Sequence, residues 1–245
     1  LEILNHPRLQ YVSGLGIDPR GARGETATRM VFSFPMYRGL KIDKLQFAAA
    51  AKLRGVRLAN VAMGQKLSDG ALELRLDKSG FDVTGTAKLG PARVRLAWHE
   101  DFTAGAKYRR RYKLNGTLDD AARRAIGFDL ASFLTGPVEV DAALLETAGG
   151  RGDFAVKFGL KDAVLRLSPF GWTKPRGKDG IAWLSLTLQD RRLAEIANFD
   201  LRTQGFRLNG AMVPAAAGRP LRIDLRRFTL GATDVSGTIV GRVDG

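Results

Sequence analysis

Only two histidines stand in the chain, His6 and His99, and cysteine is absent, so neither a thiolate metal site nor a disulfide framework is possible. His99-Glu100 follows the run Val94, Leu96, Trp98 and offers one imidazole beside one carboxylate, enough to hold a proton or to begin a metal site. A lone histidine beside a tryptophan reads more simply as a packed or solvated residue. Gly14-Leu15-Gly16 lacks the third glycine and the preceding strand of a dinucleotide loop. Arg151-Gly152-Asp153 spells an adhesion tripeptide, but in its glycine-rich surroundings it reads as a turn. No GxSxG, GxxxxGK[ST] or HExxH occurs. The expectation is a protein that is not an enzyme, with no catalytic residue, no metal and no cofactor.

Basic residues are the more prominent chemical feature. Arg109, Arg110 and Arg111 lie between Tyr108 and Tyr112, and cations beside aromatic faces suit phosphates and stacked bases. In a strand, however, Tyr108, Arg110 and Tyr112 share one face while Arg109 and Arg111 share the other, so the five do not form one patch. Nucleic acid is therefore not expected as a partner. Contact with lipid headgroups at the rim of a groove is an equal use for the three arginines, and a solvated edge protected by charge is the plainest. The formal charge of +14 implies attraction to anionic partners such as phospholipid headgroups, lipopolysaccharide or nucleic acid. Its simplest reading is a solvated outer face.

The elements that position these residues are strands. In Leu67 to Leu89, Leu72, Leu74 and Leu76 alternate with Glu73, Arg75 and Asp77; after a Lys78-Ser79-Gly80 turn, Phe81 and Val83 resume the apolar face. Gly85 occupies an inward position, which implies a bulge, a bend or another group close to the backbone. Val83-Thr84-Gly85-Thr86 is echoed by Leu114-Asn115-Gly116-Thr117, Leu208-Asn209-Gly210-Ala211 and Val235-Ser236-Gly237-Thr238, an irregular, degenerate repeat.

Along the chain, Asn5 to Tyr11 suits a helical turn. Val31 to Met36 reads as a strand ended by Pro35, and Leu45, Phe47, Ala49 and Ala51 alternate into Leu53, Val56 and Leu58 with a bulge at Gly55. Asp119 and Asp120 suit the first turn of a short helix, Phe128 to Leu134 adds a second helical turn, and Gly136-Pro137 ends it. Strand patterns then return, with Phe154, Val156 and Phe158 the clearest; Ser168 to Gly180 is loop by composition. Ala182 to Leu188, Phe199 to Leu208 around Gln204-Gly205, Leu221 to Leu230 and Val235 to Val243 complete some fourteen strands.

The expected fold is all-β, a long antiparallel meander forming a curled, groove-like sheet with one or two short helices near 119–134. Residues 1–118 form a first sheet segment, 119–136 a helical insertion, and 137–245 a second segment continuing the same sheet. An apolar face of this extent needs a cover: a second sheet, closure into a barrel, or an apolar ligand in an open trough. The trough would be lined by Leu72, Leu74, Leu76, Phe81, Val83, Val94, Leu96 and Trp98, then by Phe154, Val156, Phe158, Leu184, Leu186, Phe206 and Leu208. A closed sandwich or barrel, acting as a structural or interaction module with a basic partner-binding face, is the alternative.

Three stretches carry a resemblance: SFPMYRGLKIDKLQFAAAAKLRGVRLANV, LSDGALELRLDKSGFDVTGTAKLGPARVRLAWHEDF and YKLNGTLDDAARRAIGFDLASFLTGPVEVDAAL, together most of residues 33 to 145. They resemble the AsmA-like superfamily of bacterial envelope proteins, in particular its YhdP-type branch. The resemblance implies a long groove of curled sheet whose apolar interior takes phospholipid acyl chains between inner and outer membrane, with no catalytic residues to carry over. It also implies a periplasmic segment of a protein anchored in the inner membrane of a Gram-negative bacterium. The membrane is reached through flanking regions, since Leu1 is not an initiator methionine and no apolar run near 18 residues occurs.

Overall fold

In the computed structural model of the chain, residues 21–33, 46–62, 64–190, 192–216 and 220–241 are described. The helical turn expected at Asn5 to Tyr11, His6, Gly14-Leu15-Gly16, Phe34 to Met36 and Leu45 lie outside them.

Two-residue alternation makes strands almost everywhere else. The chain divides into two compact units, one of residues 1–106 with 121–128 and the other of 107–120 with 129–245. In the first, β1 (Arg23–Ser33), β2 (Gln46–Ala62), β3 (Gln65–Asp77), β4 (Gly80–Leu89) and β5 (Ala92–Asp101) are antiparallel neighbours in chain order. Next come β6 (Arg110–Leu118), the short helix α1 (Asp120–Ala125), β7 (Leu134–Thr135), β8 (Val138–Glu146), β9 (Arg151–Gly159), β10 (Val164–Leu167) and β11 (Trp172–Lys174). β12 (Gly180–Gln189), β13 (Arg192–Thr203), β14 (Phe206–Val213), β15 (Arg222–Leu230) and β16 (Thr233–Val240) finish the chain. In the second unit the order is β6-β8-β9-β12-β13-β14-β15-β16, again antiparallel, while β11-β10-β7 form a small separate sheet.

The fold is thus an all-β antiparallel meander. In neither unit do the outermost strands pair with each other. Neither unit is a closed barrel, and the only second sheet among the described residues has three short strands.

Turn chemistry fixes the registers. Between β3 and β4 the Asp77 carboxylate accepts hydrogen bonds from the Ser79 hydroxyl at 2.6 Å, the Ser79 N–H at 2.7 Å and the Gly80 N–H at 3.2 Å. This Asx turn closes the hairpin, and the Ser79 bonds hold the Asp77 carboxyl below its ordinary range. Gln204-Gly205 joins β13 to β14 as the sequence implies.

Three expectations are corrected. Phe128 to Leu134 forms no helix, only an isolated turn in which the Leu130 carbonyl accepts from the N–H groups of Phe133 and Leu134. Gly136, left-handed at φ 88°, ends that turn against the Asp162 carbonyl. Ser168 to Gly180 is not simply loop: it holds a 3-10 turn at Ser168–Phe170, then β11. Its prolines and glycines hid a half-buried tryptophan and a buried lysine. Arg151-Gly152-Asp153 opens β9 rather than turning, with Gly152 buried on the inward face and Arg151 paired to Asp153 across it.

The inward glycines make room for specific groups. Gly85 has φ 151°, and a Cβ there would run into the Ala71 carbonyl oxygen and lie 2.9 Å from the Leu72 Cα. At Gly210 a Cβ would meet the Phe199 ring and the Asp224 carbonyl. Gly237 has open space around it. Gly85→Ala should therefore destabilise the first unit by about 1–3 kcal/mol, whereas Gly237→Ala should be near neutral. Urea unfolding followed by tryptophan fluorescence and circular dichroism measures both.

Candidate functional site

Ladder pairing assembles the inward residues into rows that run across the strands. In the first unit one row is Ala51, Leu74, Val83 and Trp98; its neighbours are Leu53, Leu72, Gly85, Leu96 and Ala49, Leu76, Phe81, Glu100. Phe81 meets Trp98 edge to face with ring centroids 4.9 Å apart. Leu72, Leu76, Phe81, Val83 and Val94 are buried, and Leu74, Leu96 and Trp98 half-buried. All eight residues expected to line a groove in this half thus lie on one face. Glu100 is the polar end of that face.

In the second unit the rows are longer. One runs Gly116, Val140, Phe158, Ala182, Leu201, Leu208, Phe228, Val235. The next is Leu114, Ala142, Val156, Leu184, Phe199, Gly210, Leu225, Gly237, and the third is Tyr112, Leu144, Phe154, Leu186, Ile196, Met212, Ile223, Ile239. The residues expected from the sequence, Phe154, Val156, Phe158, Leu184, Leu186, Phe206 and Leu208, all share this face. Ile196 and Met212 complete the third row. A bulge in β13 between Ile196 and Phe199 breaks the two-residue pattern and hid Ile196 from a periodicity count, while Met212 simply continues the alternation of β14.

Much of this face is open. Val156 and Phe206 are buried, but Phe154, Phe158, Leu184, Leu186 and Leu208 are only half-buried. No large side chain among the described residues is fully enclosed. A shallow depression lies over Phe158, Ala182, Leu184, Phe199, Leu201 and Leu208. A second layer would have sealed these rows, as it does in a sandwich.

One end of the second unit's face is covered by the chain itself. Leu134 of β7, Leu160, Ala163 and Leu165 of β10 pack with Val138, Val140, Phe158, Ala182 and Leu201. Trp172 and Phe228 both stack against Phe206, at 5.0 and 5.5 Å between ring centroids, and Phe170 lies 5.4 Å from Phe228. Sequence reasoning missed this cap. The signal available was the Phe170 and Trp172 pair inside a stretch otherwise made of loop residues.

Lys174 holds the cap together. It is buried, and its ammonium donates to the carbonyls of Ala163 at 2.8 Å, Pro175 at 3.2 Å and Lys161 at 3.4 Å. Three donors meet three acceptors, so the group is satisfied. Burial nonetheless lowers its pKa, with Asp162 and Asp179 opposing the shift.

The three arginines part company. Arg110 lies at the rim beyond the third row, 3.7 Å from Glu146, which pairs with it across the ladder. Arg111 points to the other face and is exposed, and Arg109 precedes β6, its N–H bonded to the Glu146 carbonyl at 2.7 Å. Arg110 alone borders the apolar rows. His99 and Glu100 likewise face opposite sides of β5: His99 Nδ1 lies 2.7 Å from Asp82 Oδ1, its cross-strand neighbour, while Glu100 is buried on the apolar side. They do not form a joint site, and no group of three metal-ligating side chains occurs among the described residues.

No helix among the described residues is long and apolar enough to cross a membrane. No family model matches the chain, and no curated protein or solved structure matches it.

Lys174→Met should cost about 1–3 kcal/mol by stranding three carbonyls. Because the native pKa is lowered, the unfolded chain binds the Lys174 proton more readily between that value and its ordinary one. The wild-type stability advantage over Lys174→Met should therefore grow as pH rises toward the ordinary lysine range and shrink as it falls. Chemical denaturation at a series of alkaline pH values reads this slope.

Proposed function

We propose that the open apolar rows seat lipid acyl chains, and that the chain is a segment of a periplasm-spanning carrier, anchored in the inner membrane, that passes phospholipid between inner and outer membrane in support of outer-membrane biogenesis. One observation carries the reading: in each unit the inward residues form apolar rows, and over most of the second unit's width no described residue covers them. Hydrocarbon is the natural cover, worth about 0.8 kcal/mol per buried methylene. A chain of about sixteen carbons thus contributes on the order of 10 kcal/mol before ordering costs. The resemblance to the AsmA-like superfamily supports the same cargo and compartment.

The proposal needs no catalytic group, because transfer of apolar area from water holds the cargo. Arg110, with Glu146 beside it at the rim, is placed to meet a headgroup while acyl chains lie on the third row.

Native mass spectrometry of the purified protein, followed by lipid extraction, tests this, with an unrelated basic β-protein as control. Stoichiometric phospholipid is expected. Leu184→Glu, at a half-buried position in the middle row, should lower bound lipid by about tenfold or more while the far-ultraviolet circular dichroism stays that of a sheet. A folded wild-type protein free of lipid would instead make these rows part of a structural module.

A further inference from the structure

The opposite face of the second unit carries a cluster that the apolar rows do not explain. In β15, Asn209 pairs with Arg227 but Gly210 pairs with Leu225, so one residue is inserted. Leu225 and Phe228 thereby both stay on the apolar face. Arg226 and Arg227 are left on the other, Arg226 reaching the Asn198 side-chain oxygen at 3.4 Å.

Two further arginines stand directly opposite each other in the neighbouring ladder, Arg202 of β13 and Arg207 of β14. Like charges so placed repel. The nearby Asp200, itself buried, relieves one of them: its carboxylate accepts from Arg202 Nε at 2.9 Å and from Nη2 at 2.6 Å. Arg202 also lies over the Trp183 ring at 5.2 Å, which fixes it further. Arg207 has only a longer approach to the same carboxylate, 4.0 Å, and its Nε is buried with no hydrogen-bond partner.

Two guanidiniums, Arg202 and Arg207, thus share one carboxylate that Arg202 already takes in bidentate fashion. Asp224 is occupied by Arg222 and by the Thr238 hydroxyl at 2.8 Å, and Asp234 lies beyond Thr229, two strands from Arg207. Arg227 is the diagonal cross-strand neighbour of Arg207, a separation of about 7–8 Å that long side chains span.

We propose that Arg207 and Arg227, with Arg202 held as a fixed third wall, form a binding site for a phosphate group. A tetrahedral oxyanion can accept from several forks at once at the exposed ends of these side chains, and it neutralises charge that Asp200, already engaged by Arg202, only partly offsets. The phosphate belongs either to the headgroup of an anionic lipid or to a soluble phosphate compound. Because the site is on the face opposite the apolar rows, it does not depend on the acyl-chain reading.

The arginine Nε–Hε resonances of nitrogen-15-labelled protein, titrated with inorganic phosphate against sodium chloride at equal ionic strength, test the site. Arg207 is expected to shift saturably with phosphate and not with chloride, and the shift should be lost in Arg227→Gln, an exposed position whose replacement leaves the ladder intact. Flotation with phosphatidylglycerol and with phosphatidylcholine vesicles then separates the sources. Weakening of phosphatidylglycerol binding by about fivefold in Arg207→Gln and in Arg227→Gln identifies the lipid headgroup. A phosphate shift with vesicle binding unchanged by these substitutions identifies a soluble phosphate. An Arg207 resonance that responds equally to chloride and phosphate overturns the proposal.

Discussion

The parity of the backbone ladder is the constraint on which both units depend. Successive side chains in a strand point to opposite faces, and a slip of one residue would exchange every apolar residue with a charged one. Where no second layer lies over a sheet among the described residues, its own face is the only core. The irregularities of this protein are accordingly placed where parity would otherwise fail. The register shift between Leu53 and Val56 keeps both on the apolar face. That between Leu225 and Phe228 does the same in β15, and its by-product is the pair of arginines on the opposite side.

The same constraint explains the glycines. Inward positions must tolerate whatever the neighbouring strand brings, and Gly85 and Gly210 are inward positions where no side chain fits: at one the adjacent backbone closes in, at the other the Phe199 ring fills the gap. The cap follows a different logic. It binds through aromatic and aliphatic side chains carried on short strands and a turn, and it is locked by polar contacts from one ammonium to three carbonyls. The second unit therefore has one end whose apolar surface is satisfied by its own chain and a broader area where it is not.

Much of this was legible in the residues. Alternation such as Leu72, Leu74, Leu76 or Phe154, Val156, Phe158 determines which side chains share a face, and the ladder pairing puts the residues singled out on the apolar face of their unit. Neighbour pairing followed from short connections. What escaped was whatever depends on contacts distant in sequence: that Phe170 and Trp172 leave their loop to stack near Phe206 and Phe228, that Lys174 is buried, and that Ile196 lies beyond a bulge and rejoins the row beside Met212. The arginine cluster around Asp200 escaped for the same reason. It is spread over residues 200 to 227, and only the register makes Arg202, Arg207 and Arg227 neighbours.

The meander has a further consequence for how the protein comes apart. Apart from the links between β6 and β8 and between β9 and β12, each long strand within a unit bonds to strands next to it in sequence, so most contacts are sequence-local and loop-closure costs small. Stability in such an array approximates a sum of nearest-neighbour terms. All eleven residues of β1 and all eight of β16 are exposed, so these strands are supported from one side only. Opening is then graded: the outer hairpins fray first, hydrogen-exchange protection rises strand by strand toward β4 in one unit and β9 and β12 in the other, and loss of a terminal hairpin leaves the inner ladder standing.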